Sequence, residues 1–268
     1  MALLAGDRNG LRALVLACLA VVLLVPLEEF VAGGFAWVAA LLATLCLHSA
    51  ASRRRMLVLL GLILLMGVAP INTARDTAHF FQLGSCFLAA VLVPVLVLRR
   101  RDPDTSDWTF WPRRFSWRDV IYTLLSIPLS WWVFKVYFFD INPHMGAQWP
   151  MPEVFSAEAR FRLVLGINLV GIWDELFFIS TVYAILRTLF TFRIANAAQA
   201  LVYAAVLNHM AFIGIGPLVV FAFALTQGVM FEKSRCLFYV LLVHIIVDFF
   251  LVMAILGYHY PALHNFWY

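Results

Sequence analysis

The chain has 268 residues, of which 64% are hydrophobic and only 13% charged, and its formal net charge is +4. Soluble domains are nearer half apolar and a quarter charged, so this composition excludes an ordinary soluble domain. The positive balance does not call for a nucleic-acid partner, because the basic residues are placed as membrane orientation requires.

Apolar runs of near-spanning length recur from end to end. They cover 11–27, 31–50, 56–72, 78–98, 119–139, 161–187, 197–213, 216–232 and 236–257. Each approaches the ~20 residues that a helix needs to cross the hydrocarbon core. Backbone groups in lipid must bond within their own segment, and no alternating barrel pattern is present, so helices are predicted throughout. The expected fold is all-α: a polytopic transmembrane helix bundle of about 8–9 spans. The first run is followed by Glu28 and Glu29 rather than a small-residue cleavage motif, and reads as a retained span. The four cysteines (Cys18, Cys46, Cys86 and Cys236) lie in or beside apolar runs and read as small apolar residues, not a disulfide framework.

The basic residues alternate with the runs. Arg8 and Arg12 precede the first. Arg53, Arg54 and Arg55 follow the second. Arg99–Arg101, Arg113, Arg114 and Arg118 follow the fourth, Arg187 and Arg193 the sixth, and Lys233 and Arg235 the eighth. With nine spans all of these fall on one side, leaving Arg75, Lys135, Arg160 and Arg162 elsewhere. The positive-inside rule then predicts an integral membrane protein with a cytoplasmic N-terminus, and we expect it in a bacterial inner membrane. The loop 99–118 mixes arginine with Trp108, Trp111 and Trp117, a composition suited to the lipid headgroup region.

Ionisable groups deep in a span are costly and default to functional candidates. In the first two-thirds of the chain they are few. Lys135 and Asp140 lie near a span end, where long side chains reach water, and His48 and His79 are also near span ends. The remainder differs. Asp174 and Glu175 fall midway along the sixth run. His209 follows in the seventh, where Asn196 and Gln199 have the spacing of a capping box and place the histidine ~20 Å into its helix. His244 and Asp248 are spaced i, i+4 and share one face of the ninth. Three late helices therefore each carry acid or imidazole to mid-depth, and all five groups are expected to line one water-accessible cavity. A carboxylate with a neutral imidazole can activate water, and a second imidazole–carboxyl pair can hold a developing oxyanion. That chemistry needs no cofactor. Zinc ligation and a proton or ion relay use the same residue types. However, His-Glu-x-x-His is absent, and adjacent acids on an α-helix point about 100° apart, so no metal is expected.

The motif order resembles the CAAX protease and bacteriocin-processing (CPBP, or Abi) family of intramembrane glutamate proteases. That family shows Glu-Glu-x-x-x-Arg, then Phe-x-x-x-His, then His-x-x-x-Asn/Asp. "DELFFI" (Asp174 to Ile179) stands in the first place, "AVLNH" (Ala205 to His209) in the second and "HIIVD" (His244 to Asp248) in the third. The resemblance covers roughly residues 160–255. It divides the chain into N-terminal helices with the Arg/Trp-rich loop, 1–118, and a CPBP-like core, 119–268. It implies a metal-independent endopeptidase acting on a membrane-anchored or lipidated protein or peptide. Asp174 and His209 would activate water, Glu175 would support or share that role, and His244 and Asp248 would stabilise the oxyanion. Three positions depart from the pattern: Asp174 replaces the first Glu, Ile179 the Arg and Ala205 the Phe. Asp174 and Ile179 favour the alternative, a proteolytically inactive scaffold that binds a partner transmembrane protein, whereas His209, His244 and Asp248 favour the enzyme.

Overall fold

A computed structural model describes residues 8–74, 76–98, 109–112, 116–210 and 214–262. Among them the chain is all-α, arranged as nine helical rods. These are α1 (Arg8–Leu24), α2 (Phe30–Leu45), α3 (Ala50–Val68), α4 (Thr77–Leu98), α5 (Trp117–Lys135), α6 (Ala157–Asp174) running on into α7 (Ala184–Leu189), α8 (Phe192–Leu207), α9 (Gly216–Ser234) and α10 (Leu237–His259). Two rods contain π-helical turns: Val136–Ile141 prolongs α5, and Glu175–Tyr183 joins α6 to α7. Four rods are long and apolar enough to cross a membrane: Thr77–Leu98, Trp117–Ile141, Ala157–Leu189 and Leu237–His259. Helices α2 and α8 are apolar but shorter.

Successive rods run between two ends of the bundle, and the loop contacts sort accordingly. At one end Arg53 donates to the Leu45 carbonyl, and Thr109 pairs through its backbone with Arg235 and Leu237. Arg187 and Arg235 both meet Glu232 there, each at 3.0 Å. At the other end Thr73 donates to the Gln148 carbonyl and Tyr260 to that of Pro152, and His259 meets Gly146. Of the basic residues predicted in one-sided loops, Arg235 lies between helices, whereas Arg8, Arg12, Arg53–Arg55, Arg118, Arg187, Arg193 and Lys233 lie within the ends of helices, because the helices extend past the apolar runs. Much of the Arg/Trp-rich loop, including Trp108, Arg99–Arg101, Arg113 and Arg114, lies outside the described residues, as does Arg75.

The main core joins α1–α4 with α6–α10, so its packing crosses the division at residue 118. A second cluster, around Phe138, Ile167 and Ile255, packs α5, α6 and α10 together toward the second end. All described cysteines are free thiols; Cys236 is buried and Cys46 is exposed. Lys135 stacks its ammonium over Trp131, 5.0 Å from the ring centroid. His79 is buried on α4, whereas His48 is exposed.

Several predicted boundaries move: α2 ends at Leu45 rather than 50, α3 begins at Ala50 rather than 56, and α8 begins at Phe192. Asn196 and Gln199 do not start a helix. Helix α8 begins four residues earlier, after Thr191, because the chain turns sharply at Phe190 and Thr191, both of which are extended. The two amides are buried instead. Asn196 donates to the Leu225 carbonyl at 3.0 Å, and Gln199 donates to the Ala224 carbonyl at 2.8 Å. Gly228 permits this contact, because a Cβ there would overlap the Asn196 amide oxygen. A capping signature and an interhelical polar clamp share the same residue types, and here the clamp prevails.

Candidate functional site

Asp174, Glu175, His244 and Asp248 meet in the middle of the bundle, each nearly or completely buried. His244 is the centre. Its Nδ1 lies 2.6 Å from Glu175 Oε1, and its Nε2 lies 3.6 Å from both Asp174 Oδ2 and Asp248 Oδ1. Two residues adjacent in sequence thus address opposite nitrogens of one imidazole. The chain changes from α- to π-helix at this step. A π turn widens the helix and re-aims successive side chains, and such turns occur frequently at functional sites. Gly171, one turn earlier on α6, permits the approach of α10: a Cβ there would overlap Asp248 Oδ2 and come within 2.9 Å of His244 Cδ2.

Two residues that the sequence did not single out complete the cluster. Gln227 of α9 donates through Nε2 to Glu175 Oε1 and to the Val240 carbonyl, each at 3.0 Å. Tyr203 of α8 places its hydroxyl 3.4 Å from Asp174 Oδ2 and 3.3 Å from His244 Nδ1. A signal for Gln227 was available, since an amide in an otherwise apolar run needs a partner. Tyr203 gave none, because tyrosine is ordinary in membrane helices.

His209 does not join them. It lies beyond the end of α8, about 26 Å from the helix start at ~1.5 Å per residue. Its Nε2 contacts the Val25 carbonyl at 2.5 Å and lies 3.8 Å from Glu28 Oε1, at the turn between α1 and α2. Its side chain is 29% exposed. The cluster expected of five groups therefore gathers four, each nearly or completely buried rather than open to water, and the pairing of Asp174 with His209 does not form. The physical cause is the earlier start of α8, which carries His209 past mid-depth. The contribution of α8 at mid-depth is Tyr203, six residues earlier.

Asp174 Oδ1, Glu175 Oε2, Gln227 Oε1 and Asp248 Oδ2 are buried without a hydrogen-bond partner among the described residues. An unpaired buried acceptor is costly, and such groups call for an explanation such as water, a shared proton or a substrate N–H. Three carboxyls and one imidazole at these distances hold their protons jointly. Among the described residues, no group of three or more His, Cys, Asp or Glu is arranged to hold a metal ion. In comparisons with protein-family models, curated proteins and solved structures, none matches this chain.

Proposed function

We propose that this protein is an integral membrane endopeptidase that hydrolyses a peptide bond of a membrane-anchored or lipidated protein without a metal. The observation that carries the reading is the 2.6 Å contact between Glu175 Oε1 and His244 Nδ1 in a site that also holds two further carboxyls. A carboxylate that accepts from Nδ1–H orients an imidazole and leaves Nε2 to act as base. Nε2 takes a proton from water, and the water oxygen bonds to the scissile carbonyl carbon as the carbonyl π pair moves onto its oxygen. When that intermediate collapses the C–N bond breaks, and the proton held at Nε2 passes to the departing amine. The products are an acid and an amine, and no electrons are exchanged. Asp174 and Asp248 flank Nε2 and would place the water and the substrate N–H. These roles differ from those implied by the CPBP resemblance. His244 takes the base position assigned there to His209, with Glu175 rather than Asp174 behind it.

In this reading all nine rods cross the membrane, with the basic end and the N-terminus in the cytoplasm of a bacterial cell. The four long apolar rods and the alternation of basic residues with apolar runs along the sequence support it. A second reading, an inactive scaffold for a partner transmembrane protein, is favoured by the burial of every acid in the cluster. Comparative analysis of protein termini in membrane fractions separates the two. Cells with the wild-type protein should hold peptide termini that are absent from cells with Glu175→Gln at equal expression. Identical terminal inventories would reject the hydrolase and leave the scaffold.

A further inference from the structure

We propose that Tyr203 is a positioning residue of this site: its hydroxyl, set between Asp174 and His244, holds the imidazole in the tautomer with hydrogen on Nδ1 and the lone pair on Nε2. Its consequence for catalysis rests on the hydrolase reading above; its structural content does not.

The assignment follows from counting hydrogens against acceptors. Glu175 Oε1 already accepts from Gln227 Nε2–H, and its 2.6 Å approach to His244 Nδ1 places one hydrogen between them, on Nδ1 when Glu175 is ionised. Tyr203 cannot donate to a nitrogen that carries a hydrogen, so its O–H turns to Asp174 Oδ2 at 3.4 Å. That oxygen is the one facing His244 Nε2. Supplied by the phenol, it is a weaker acceptor toward Nε2. The distances agree: Nε2 stands 3.6 Å from Asp174 Oδ2 and from Asp248 Oδ1, outside the ~2.7–3.2 Å of an N–H···O bond. The phenol ring is fixed. It stacks on Phe178 with centroids 4.0 Å apart and meets Phe223 edge-on, and Phe223 in turn meets His244 edge-on at 5.4 Å. Tyr203 is fully buried.

Tyr203→Phe removes one oxygen and leaves the ring packing. Asp174 Oδ2 then lacks a donor, closes on Nε2 and favours a hydrogen there, as the other tautomer or as imidazolium, and the base is lost. The test is NMR of the full-length protein in lipid nanodiscs with 13C,15N-labelled histidine, assigning His244 by its disappearance in His244→Gln. The wild type should show His244 with Nδ1 protonated and Nε2 bare, and Tyr203→Phe should show a hydrogen on Nε2. In cells the processed termini should fall about 100-fold or more, the scale of a lost general base. A hydrogen on Nε2 in the wild type, alone or as imidazolium, overturns the proposal even if the variant does not fold. So does a folded Tyr203→Phe with an unchanged tautomer. If the tautomers behave as stated while Glu175→Gln leaves the termini unaltered, the hydrolase reading fails and the role of Tyr203 stands.

Discussion

Asp174 and Glu175 are neighbours in sequence, yet each faces a different nitrogen of His244, and this division of labour explains two acids in an apolar helix. The sequence made the acids and the His244–Asp248 pair legible, because charge is conspicuous in a membrane run and i, i+4 spacing fixes a shared face. It did not reveal Tyr203, whose role depends on where one oxygen falls, and it placed His209 too deep. His209→Ala is accordingly expected to keep processing within a few-fold of wild type, whereas His244→Ala should abolish it; quantified peptide termini distinguish them. Equal loss in both variants would return His209 to the site. Gly171→Ala should displace Asp248 and His244. A shift of about 1 Å in such a set costs on the order of 100-fold in rate. The variant should remain in the membrane at wild-type abundance while its product falls.

At the scale of elements, long apolar runs announced every helix, and their ends moved by only a few residues in most cases. Two features escaped. The π turns at Glu175–Tyr183 have no sequence signature, since any apolar run can adopt them where packing requires it. The start of α8 was masked because Phe190 and Thr191 make a turn without glycine or proline, while Asn196 and Gln199 imitate a cap. The clamp these amides form with α9 gives its own prediction. Gly228→Ala places a methyl group against the Asn196 amide and should destabilise the protein by about 1–3 kcal/mol, the usual penalty of overpacking. Thermal unfolding in detergent would show the lowered midpoint. An unchanged midpoint would mean that α8 and α9 are free to separate.

For the whole molecule, composition alone disclosed an all-α chain with helices long and apolar enough to cross a membrane. It could not disclose that the core mixes helices from both sides of residue 118, because apolar faces do not name their partners. The two ends predict a labelling pattern. Single cysteines replacing Arg53, Arg193 or Lys233 should react with an impermeant thiol reagent from one side only, and those replacing Thr73 or Gln148 only from the other. A mixed pattern within either group would break the alternation of rods. The central claim is that Glu175 and His244 act as one unit on a peptide bond. Its most direct test is a double-mutant cycle on the product terminus, comparing Glu175→Gln, His244→Ala and the double variant. We predict that each single variant loses nearly all product and that the double variant is no worse. Singles that keep most of the product, or losses that multiply in the double variant, would contradict it.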